Sequence, residues 1–299
     1  TSEKAEKARV EAMNRLLRNH ELYCTVCDNN NGNCKLHNTV EMMGIEEQKY
    51  PFEPKIDGRV VDNSHPFYRY DPNQCIACGQ CVEACQTVQV NETLSINWER
   101  SRPLVIWDEG VKINDSSCVG CGQCVTVCPC NALQEKSMLD EAGYLTSIER
   151  PLLNKMIDVI KDVEPPYSLI FALSDIESNM RKNQIKRTKT VCTFCGVGCS
   201  FEVWTKDRKI LKIEPKYGPV NQISTCVKGK FGYDFVNDQG RLKTPLIRKG
   251  DHFVEASWEE AIAFAAEGLR RTKEQFGSDA IGVISSSKIT NEENYVIQK

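Results

Sequence analysis

The sequence predicts a multi-domain α+β chain that runs into an α/β domain. Three observations predict it. The 16 cysteines fall into tight groups separated by long stretches without any. Between the groups, short apolar runs alternate with Gly, Pro and Asn, which is the patterning of strands and turns. Near the end, the capping boxes Ser257-Trp258-Glu259-Glu260 and Thr290-Asn291-Glu292-Glu293 bracket a continuous apolar run, which reads helix, strand, helix.

The organising stretch runs from Cys75 to Cys128. Cys75, Cys78, Cys81 and Cys85 have the spacing C-x2-C-x2-C-x3-C, and Cys118, Cys121, Cys124 and Cys128 repeat it. That is the iron–sulfur run of a two-cluster ferredoxin, in which the fourth Cys of each run ligates the other run's cluster. Three thiolates at two-residue gaps can wrap one face of a cube within one loop. The loop then enters a helix, and the fourth thiolate points back across the domain. Cys75, Cys78, Cys81 and Cys128 are therefore expected to hold one [4Fe-4S] cluster, and Cys118, Cys121, Cys124 and Cys85 a second. Gly79, Gly120 and Gly122 let the backbone approach the sulfides without a Cβ in the way. Pro129 follows the last Cys as in the usual run, whereas Gln86 takes that place in the first half. Two zinc ribbons or a disulfide framework are the rival readings. Zinc sites favour paired C-x2-C knuckles at longer separation, and disulfide scaffolds are short and secreted.

Composition bounds the rest. A length of 299 residues suggests two domains or slightly more. Lys and Arg number 38 against 41 Asp and Glu, a net charge of -3, which leaves no basic footprint for nucleic acid. No apolar run of about 18 residues offers a transmembrane segment. Cysteines in metal-type groups imply a reducing compartment, and neither a signal peptide nor a twin-arginine motif follows Thr1. A cytoplasmic location is expected.

In order, residues 1–50 form a helix plus a metal-binding segment. Ala5, Ala8, Ala12, Met13 and Leu16 recur at helical steps over residues 3–19. The helix delivers His20 to His20-x3-Cys24-x2-Cys27-x6-Cys34, where three thiolates and one imidazole can complete a cubane. Gly32 and its Asn neighbours supply a loop able to reach φ > 0. His37 is the rival to His20, and zinc the rival to iron–sulfur. His65 and His252 read as surface or capping residues.

Residues 51–66 are a Pro-rich connector, and residues 67–140 the two-cluster module of βαββαβ type. Its expected strands are Phe67–Tyr70, Leu94–Trp98, Leu104–Trp107 and Val111–Ile113. Trp98 and Trp107 read as core or cluster-shielding residues. Cys130 is the one cysteine left over, a buried small apolar residue or a competitor of Cys128. Residues 141–188 are a helical linker, with a helix over Pro151–Val163 and an ambiguous one over 168–181. The basic run Arg181–Lys189 reads as a solvated stretch without a role.

Residues 189–247 carry Cys192, Cys195, Cys199 and Cys226 beside a hairpin turning at Lys206-Asp207. This is a fourth [4Fe-4S] site on a small β domain. Residues 248–299 begin the α/β domain. A helix opens at Ser257 and stops at Gly277, a buried strand spans Asp279–Ser285, and a second helix follows Thr290. Ser285, Ser286, Ser287 and Asn291 sit where a strand meets a helix N-terminus, a natural place for phosphate or pterin contacts.

These motifs carry a resemblance. The His20–Cys34 segment resembles the His-Cys segment of the complex I large subunit, of certain [FeFe]-hydrogenases and of NAD-linked formate dehydrogenases. The Cys192–Cys226 motif, followed by Lys228, resembles the N-terminal domain of molybdenum or tungsten enzymes that bind bis-molybdopterin guanine dinucleotide. The run from Ser285 to Lys299 resembles the formate dehydrogenase version of the cofactor domain. Together these cover nearly the whole chain and imply a much longer protein, a formate dehydrogenase catalytic subunit. The resemblance implies four [4Fe-4S] clusters, a Mo- or W-bis-molybdopterin guanine dinucleotide held mostly beyond residue 299, and an upstream [2Fe-2S] domain. It places Lys228 between cluster and pterin as an electron relay, and the catalytic metal ligand outside this stretch. It implies formate as substrate and a diaphorase-type or quinone-linked redox partner in a hetero-oligomer. The alternative is a non-catalytic electron-transfer subunit of a complex I-like or hydrogenase-like assembly.

Overall fold

The computed structural model describes residues 2–20, 24, 27, 30–46, 48–51, 53, 60–99, 102–139, 151, 152, 155, 176, 178–215 and 218–299. The helices expected at Pro151–Val163 and 168–181 fall mostly outside these residues. The chain divides into two units: residues 1–191 with 199–231, and residues 192–198 with 232–299.

The first unit opens on α1 (Glu3–Leu17), capped by the Ser2 hydroxyl, which accepts from the Ala5 amide, with Glu3 and Glu6 in the first turn. Leu17 is wholly buried. α2 (Lys35–Met42) starts at Cys34 and buries Leu36, His37 and Val40.

The next module runs β1 (Tyr68–Tyr70), α3 (Gln80–Glu83), β2 (Leu94–Asn97), β3 (Leu104–Trp107), α4 (Gln123–Val127) and β4 (Leu133–Glu135), in the expected βαββαβ order. The outer strands β1 and β4 pair antiparallel, Tyr70 opposite Leu133, and β2 and β3 form a hairpin with Leu94 opposite Trp107. α3 widens into a π-helical turn at Ala84–Val88 that carries Cys85. Leu17, Leu36, Val40, Tyr68, Trp107 and Leu133 belong to one buried cluster that also contains Cys34, Cys81, Cys85, Cys124 and Cys130. The core of this unit is therefore interleaved with thiols.

Two expectations fail in this module. Val111 makes only an isolated bridge to Trp107, and Ile113–Asp115 is a 3₁₀ turn. The Asp62 carboxylate and the Ser64 hydroxyl accept the amides of Ile113 and Asn114, so side chains replace a strand partner. Trp107 is buried as expected, but Trp98 is 70% exposed, since β2 ends one residue before it.

β5 (Lys186–Val191), β6 (Ser200–Lys206) and β7 (Lys209–Pro215) form a three-stranded antiparallel sheet. β5 corrects the reading of Arg181–Lys189 as a linker. Thr188, Thr190 and Val191 are β-branched and favour extended backbone. All six residues of β5 are exposed, and Lys and Arg on such an edge discourage further pairing. The hairpin turns at Asp207 and Arg208, both at positive φ, one residue later than expected. Trp204 lies under Arg187, 3.9 Å from its ring centroid, and packs with Met138, Ile185 and Leu211. α5 (Val227–Phe231) closes the unit.

The second unit holds the hairpin β8 (Leu246–Lys249) and β9 (His252–Glu255), then α6 (Trp258–Phe276) and α7 (Asn291–Gln298). Both capping boxes form as read: Ser257 with Glu260 and Thr290 with Glu293. The strand expected at Asp279–Ser285 does not form. Ser278–Ala280 is a 3₁₀ turn, and Val283 and Ile284 are exposed. A continuous apolar run is stable as a strand between neighbours, and no strand of the described residues pairs with it.

Candidate iron–sulfur sites

Two cavities lie inside the βαββαβ module. One is lined by Cys75, Cys78, Cys81 and Cys128 together with Tyr70 and Cys130. The other is lined by Cys85, Cys118, Cys121 and Cys124 together with Tyr68. These are the two crossed sets expected from the spacing. The fourth thiol of each run crosses because α3 with its π turn, and α4, carry Cys85 and Cys128 away from their own loops.

The loops are near duplicates. The Ala77 amide donates to Cys75 Sγ, and the Gly120 amide donates to Cys118 Sγ, each at 3.4 Å. Ala77 adopts φ 52° where Gly120 adopts 65°, so the first loop carries a Cβ in left-handed backbone. Gly122 has φ 74°, and a Cβ there would sit 2.8 Å from Lys230 Cγ and 2.9 Å from the Phe231 ring. Among protein atoms, an added Cβ would meet His65 and Val227 at Gly120 and the side chains of α5 at Gly122, and Gly122 also lines the second cavity.

The donor set fits a cationic centre. Burial first, then the nearby Cys128, Cys75 and Cys78, push the Cys81 thiol up. Burial and the nearby Cys81, Cys121, Cys118 and Cys85 push Cys124 well up. Thiols so placed resist ionising until a cation compensates them. Cys128 runs the other way, lowered to about 7 chiefly by its hydrogen bond with Cys130, whose Sγ lies 4.0 Å away. Among the described residues, no three His, Cys, Asp or Glu side chains stand placed to hold a single metal ion.

The two cavities lie close together: Cys81 of one contributes to pushing up the thiol of Cys124 in the other. Each also meets a flanking segment. On the first side, the Leu36 amide donates to the Pro129 carbonyl at 3.1 Å, and Cys34 Sγ lies 3.9 Å from the same carbonyl. Cys34 is the N-cap of α2, its sulfur accepting from the His37 amide at 3.5 Å, and burial pushes its thiol up to about 11. His20 and His37 are both buried, while Cys24 and Cys27 are half-buried. On the second side, Phe231 stacks on Phe67 at 4.9 Å, and Val227, next to Cys226, reaches the Gly120 loop.

Three residues escaped the sequence reading. Arg181 is 1% exposed and donates to the carbonyls of Cys27 and Asn30, each at 2.9 Å. Assigning its basic run no role was thus an error. Lys230, also 1% exposed, pairs with Glu135 at 2.6 Å and donates to the Ile213 carbonyl at 2.7 Å. His65 is buried rather than on the surface. It accepts from the Phe67 amide, and burial holds its pKa down to about 4. Arg181 and Lys230 bond partners distant in sequence, and no spacing signals that.

The fourth set divides between the units: Cys199 and Cys226 belong to the first, Cys192 and Cys195 to the second. Cys195, Cys226 and Lys228 are exposed, and Cys192 and Cys199 half-buried. Ser285, Ser286, Ser287 and Asn291 are exposed, and the Ser285 hydroxyl donates to Asn294. His252 is exposed, as read.

Four domain families match in succession. They are the NADH-ubiquinone oxidoreductase-G iron-sulfur binding region at 9–49, the 4Fe-4S dicluster domain at 74–132, the molybdopterin oxidoreductase Fe4S4 domain at 185–238 and molybdopterin oxidoreductase at 241–299. "Putative formate dehydrogenase YrhE" of Bacillus subtilis (strain 168) is 70% identical over 99% of this chain. "Probable oxidoreductase YjgC" of the same organism is 61% identical over 98% of it. The chain spans 30% of the length of each of these relatives. A solved structure of NAD+-reducing [NiFe]-hydrogenase in the H2-reduced state is 26% identical, covering 46% of this chain and 57% of that one, with a TM-score of 0.40, too slight a likeness to build on. Iron–sulfur clusters and a molybdopterin are the cofactors these domains imply. The chain thus carries, in order, matches to an NADH-ubiquinone oxidoreductase-G iron–sulfur region, a 4Fe-4S dicluster domain, a molybdopterin oxidoreductase Fe4S4 domain and a molybdopterin oxidoreductase domain.

Proposed function

We propose that this chain is the electron-transfer portion of a formate dehydrogenase catalytic subunit. The whole protein would convert formate to CO2, a proton and two electrons at a molybdenum or tungsten bis-molybdopterin guanine dinucleotide. The electrons would leave one at a time through four [4Fe-4S] clusters to a redox partner subunit, in the cytoplasm. No helix among the described residues is long and apolar enough to cross a membrane.

The observation that carries this reading is the sequence of neighbours. The Cys226 segment touches the loop of the second cavity, the second cavity lies close to the first, and the first touches the loop of Cys34. Within the first unit, residues that would hold clusters thus succeed one another without a gap of unrelated core. Cys192, Cys195, Cys199 and Cys226 would hold the cluster nearest the pterin. Lys228 would lie between the two, and Ser285, Ser286, Ser287 and Asn291 would contact the pterin. His20, Cys24, Cys27 and Cys34 would hold the last cluster, facing the partner. When bound, the clusters supply one-electron carriers at potentials set by their surroundings. The chain's own part is to fix the thiols, shield them with Tyr68, Tyr70 and Trp107, and supply amide donors to sulfur. Formate is supported by the name of the 70% identical relative.

The test is the full-length protein purified without oxygen. Molybdenum or tungsten, guanine nucleotide and formate-dependent dye reduction are expected together. Iron without any of the three would favour the second reading, an electron-transfer subunit like that of complex I, which the match at 9–49 keeps in view.

A further inference from the structure

Five cysteines ring the first cavity, one more than a cubane takes. Cys75, Cys78, Cys81 and Cys128 line it, and so does Cys130. The second cavity is lined by four, Cys85, Cys118, Cys121 and Cys124. Two positions after its crossing cysteine, Cys85, stands Thr87, which is exposed. Two positions after Cys128 stands Cys130, only 2% exposed. The backbone sets this placement. α4 ends at Cys128 in extended conformation, the chain turns at Pro129 and Cys130, and Asn131 at φ 53° sends it into β4. Both ends of the turn are fixed, one by α4 and the other by the pairing of β4 with β1. Cys130 Sγ then stands 4.0 Å from Cys128 Sγ. Two thiolates bound to one tetrahedral metal at about 2.3 Å each stand about 3.8 Å apart. The two sulfurs are therefore spaced so that either could meet the same corner of a cluster. Packing alone requires neither a sulfur at Cys130 nor that spacing.

We propose that Cys130 is a reserve ligand of the first site, able to take the corner iron from Cys128. The inference rests on the iron–sulfur reading of these cysteines. Each iron of a cubane has three sulfides and room for one cysteine sulfur, so the two residues alternate and never bind together. Cys128 holds the place that the C-x2-C-x2-C-x3-C spacing assigns to the ligand, and it is the resting partner of the iron. A ligated sulfur carries no proton, so Cys130 is then the thiol and the donor across the 4.0 Å gap. The exchange breaks the bond from iron to Cys128 sulfur and forms the bond from iron to Cys130 sulfur. One proton passes from Cys130 to Cys128, and no oxidation state changes. The second site has no such spare, because Thr87 replaces the extra thiol. The first site is thus the one built to keep its corner iron when a ligand is lost.

The test uses the full-length protein with its clusters, purified without oxygen, as wild type, Cys128→Ala, Cys130→Ala and the double variant. Iron analysis and electron paramagnetic resonance of the reduced protein read the sites without turnover. Cys128→Ala should keep the wild-type iron content and both cubane signals of the βαββαβ module, because Cys130 takes over. Cys130→Ala should keep them as well. The double variant should lose iron from one site while the other keeps its signal. A Cys128→Ala protein that loses as much iron as the double variant overturns the proposal, and so does a double variant with full iron. Should Cys128→Ala fail to fold, Cys130→Ala decides, since it retains every ligand read from the spacing. Exposed to air, it should give the signal of a three-iron cluster sooner than the wild type, and an equal rate overturns the proposal. A wild type without a pair of cubane signals overturns the iron–sulfur reading itself, a result the variants cannot mimic.

Discussion

Lys230 is a buried cation beside the Gly122 loop. Its ammonium joins Glu135 on β4 to the Ile213 carbonyl on β7, and its stem lies where a Gly122 side chain would be. Removing one partner of such a pair strands the other charge, which costs about 3–5 kcal/mol. Lys230→Met should therefore lower the urea midpoint of the anaerobic protein sharply, and Lys230→Met with Glu135→Leu should recover most of the loss. Gly122→Ala combines strain at φ 74° with a clash against Phe231. It should cost at least the ~1–3 kcal/mol of a strained backbone position, read as a lower melting temperature. At this scale the sequence was half legible. Thiols announce themselves by spacing, because ligation by a loop demands fixed gaps. Lys230 does not, because Glu135 lies far off in the chain, and Lys228 two residues earlier carries the recognisable motif. Ala77 at positive φ was equally hidden, since its duplicate Gly120 gives no hint that alanine accepts the same conformation.

Among elements, the helical residues 178–184 act beyond their length. Arg181 grips the carbonyls of Cys27 and Asn30, Ser178 bonds Asn30 at 3.1 Å, and the Lys182 side chain covers Gly32. The loop between Cys27 and Cys34 is therefore held from outside. Hydrogen bonds to a charged group are worth about 1.5–3 kcal/mol each. Arg181→Ala should release the loop, and iron should fall by one cluster's worth while the signals of the βαββαβ module persist. Loss of all clusters, or of none, would contradict that clamp. The elements read correctly were those with strong local signals: α1 from its period, α6 and α7 from their capping boxes, β2 and β3 from apolar runs. Those misread depended on partners. Lys186–Val191 is a strand because β6 lies beside it, and Asp279–Ser285 is not one because no strand among the described residues pairs with it.

For the molecule as a whole, the first unit has a core in which thiols alternate with apolar side chains, and the sheet β5-β6-β7 keeps a small core of its own. Binding energy of a structural metal is then folding energy. Chelating the iron under reducing conditions should raise amide hydrogen exchange most in β1 and β4, and least in β6 and β7. Equal exchange in both regions would argue against metal-dependent packing. The order of modules along the chain was legible, since each carries its own motif. Their mutual contacts, such as the Pro129 carbonyl with Leu36 or Phe67 with Phe231, were not.

Cys85 and Cys128 each complete the ring begun by the other's loop. Such lacing has a consequence for maturation. Neither pocket can be finished until both halves of the module have come together, so the second cube should load far faster than the first. Chains carrying a single cube should be scarce at every stage of iron delivery, and native mass spectrometry during reconstitution would count them.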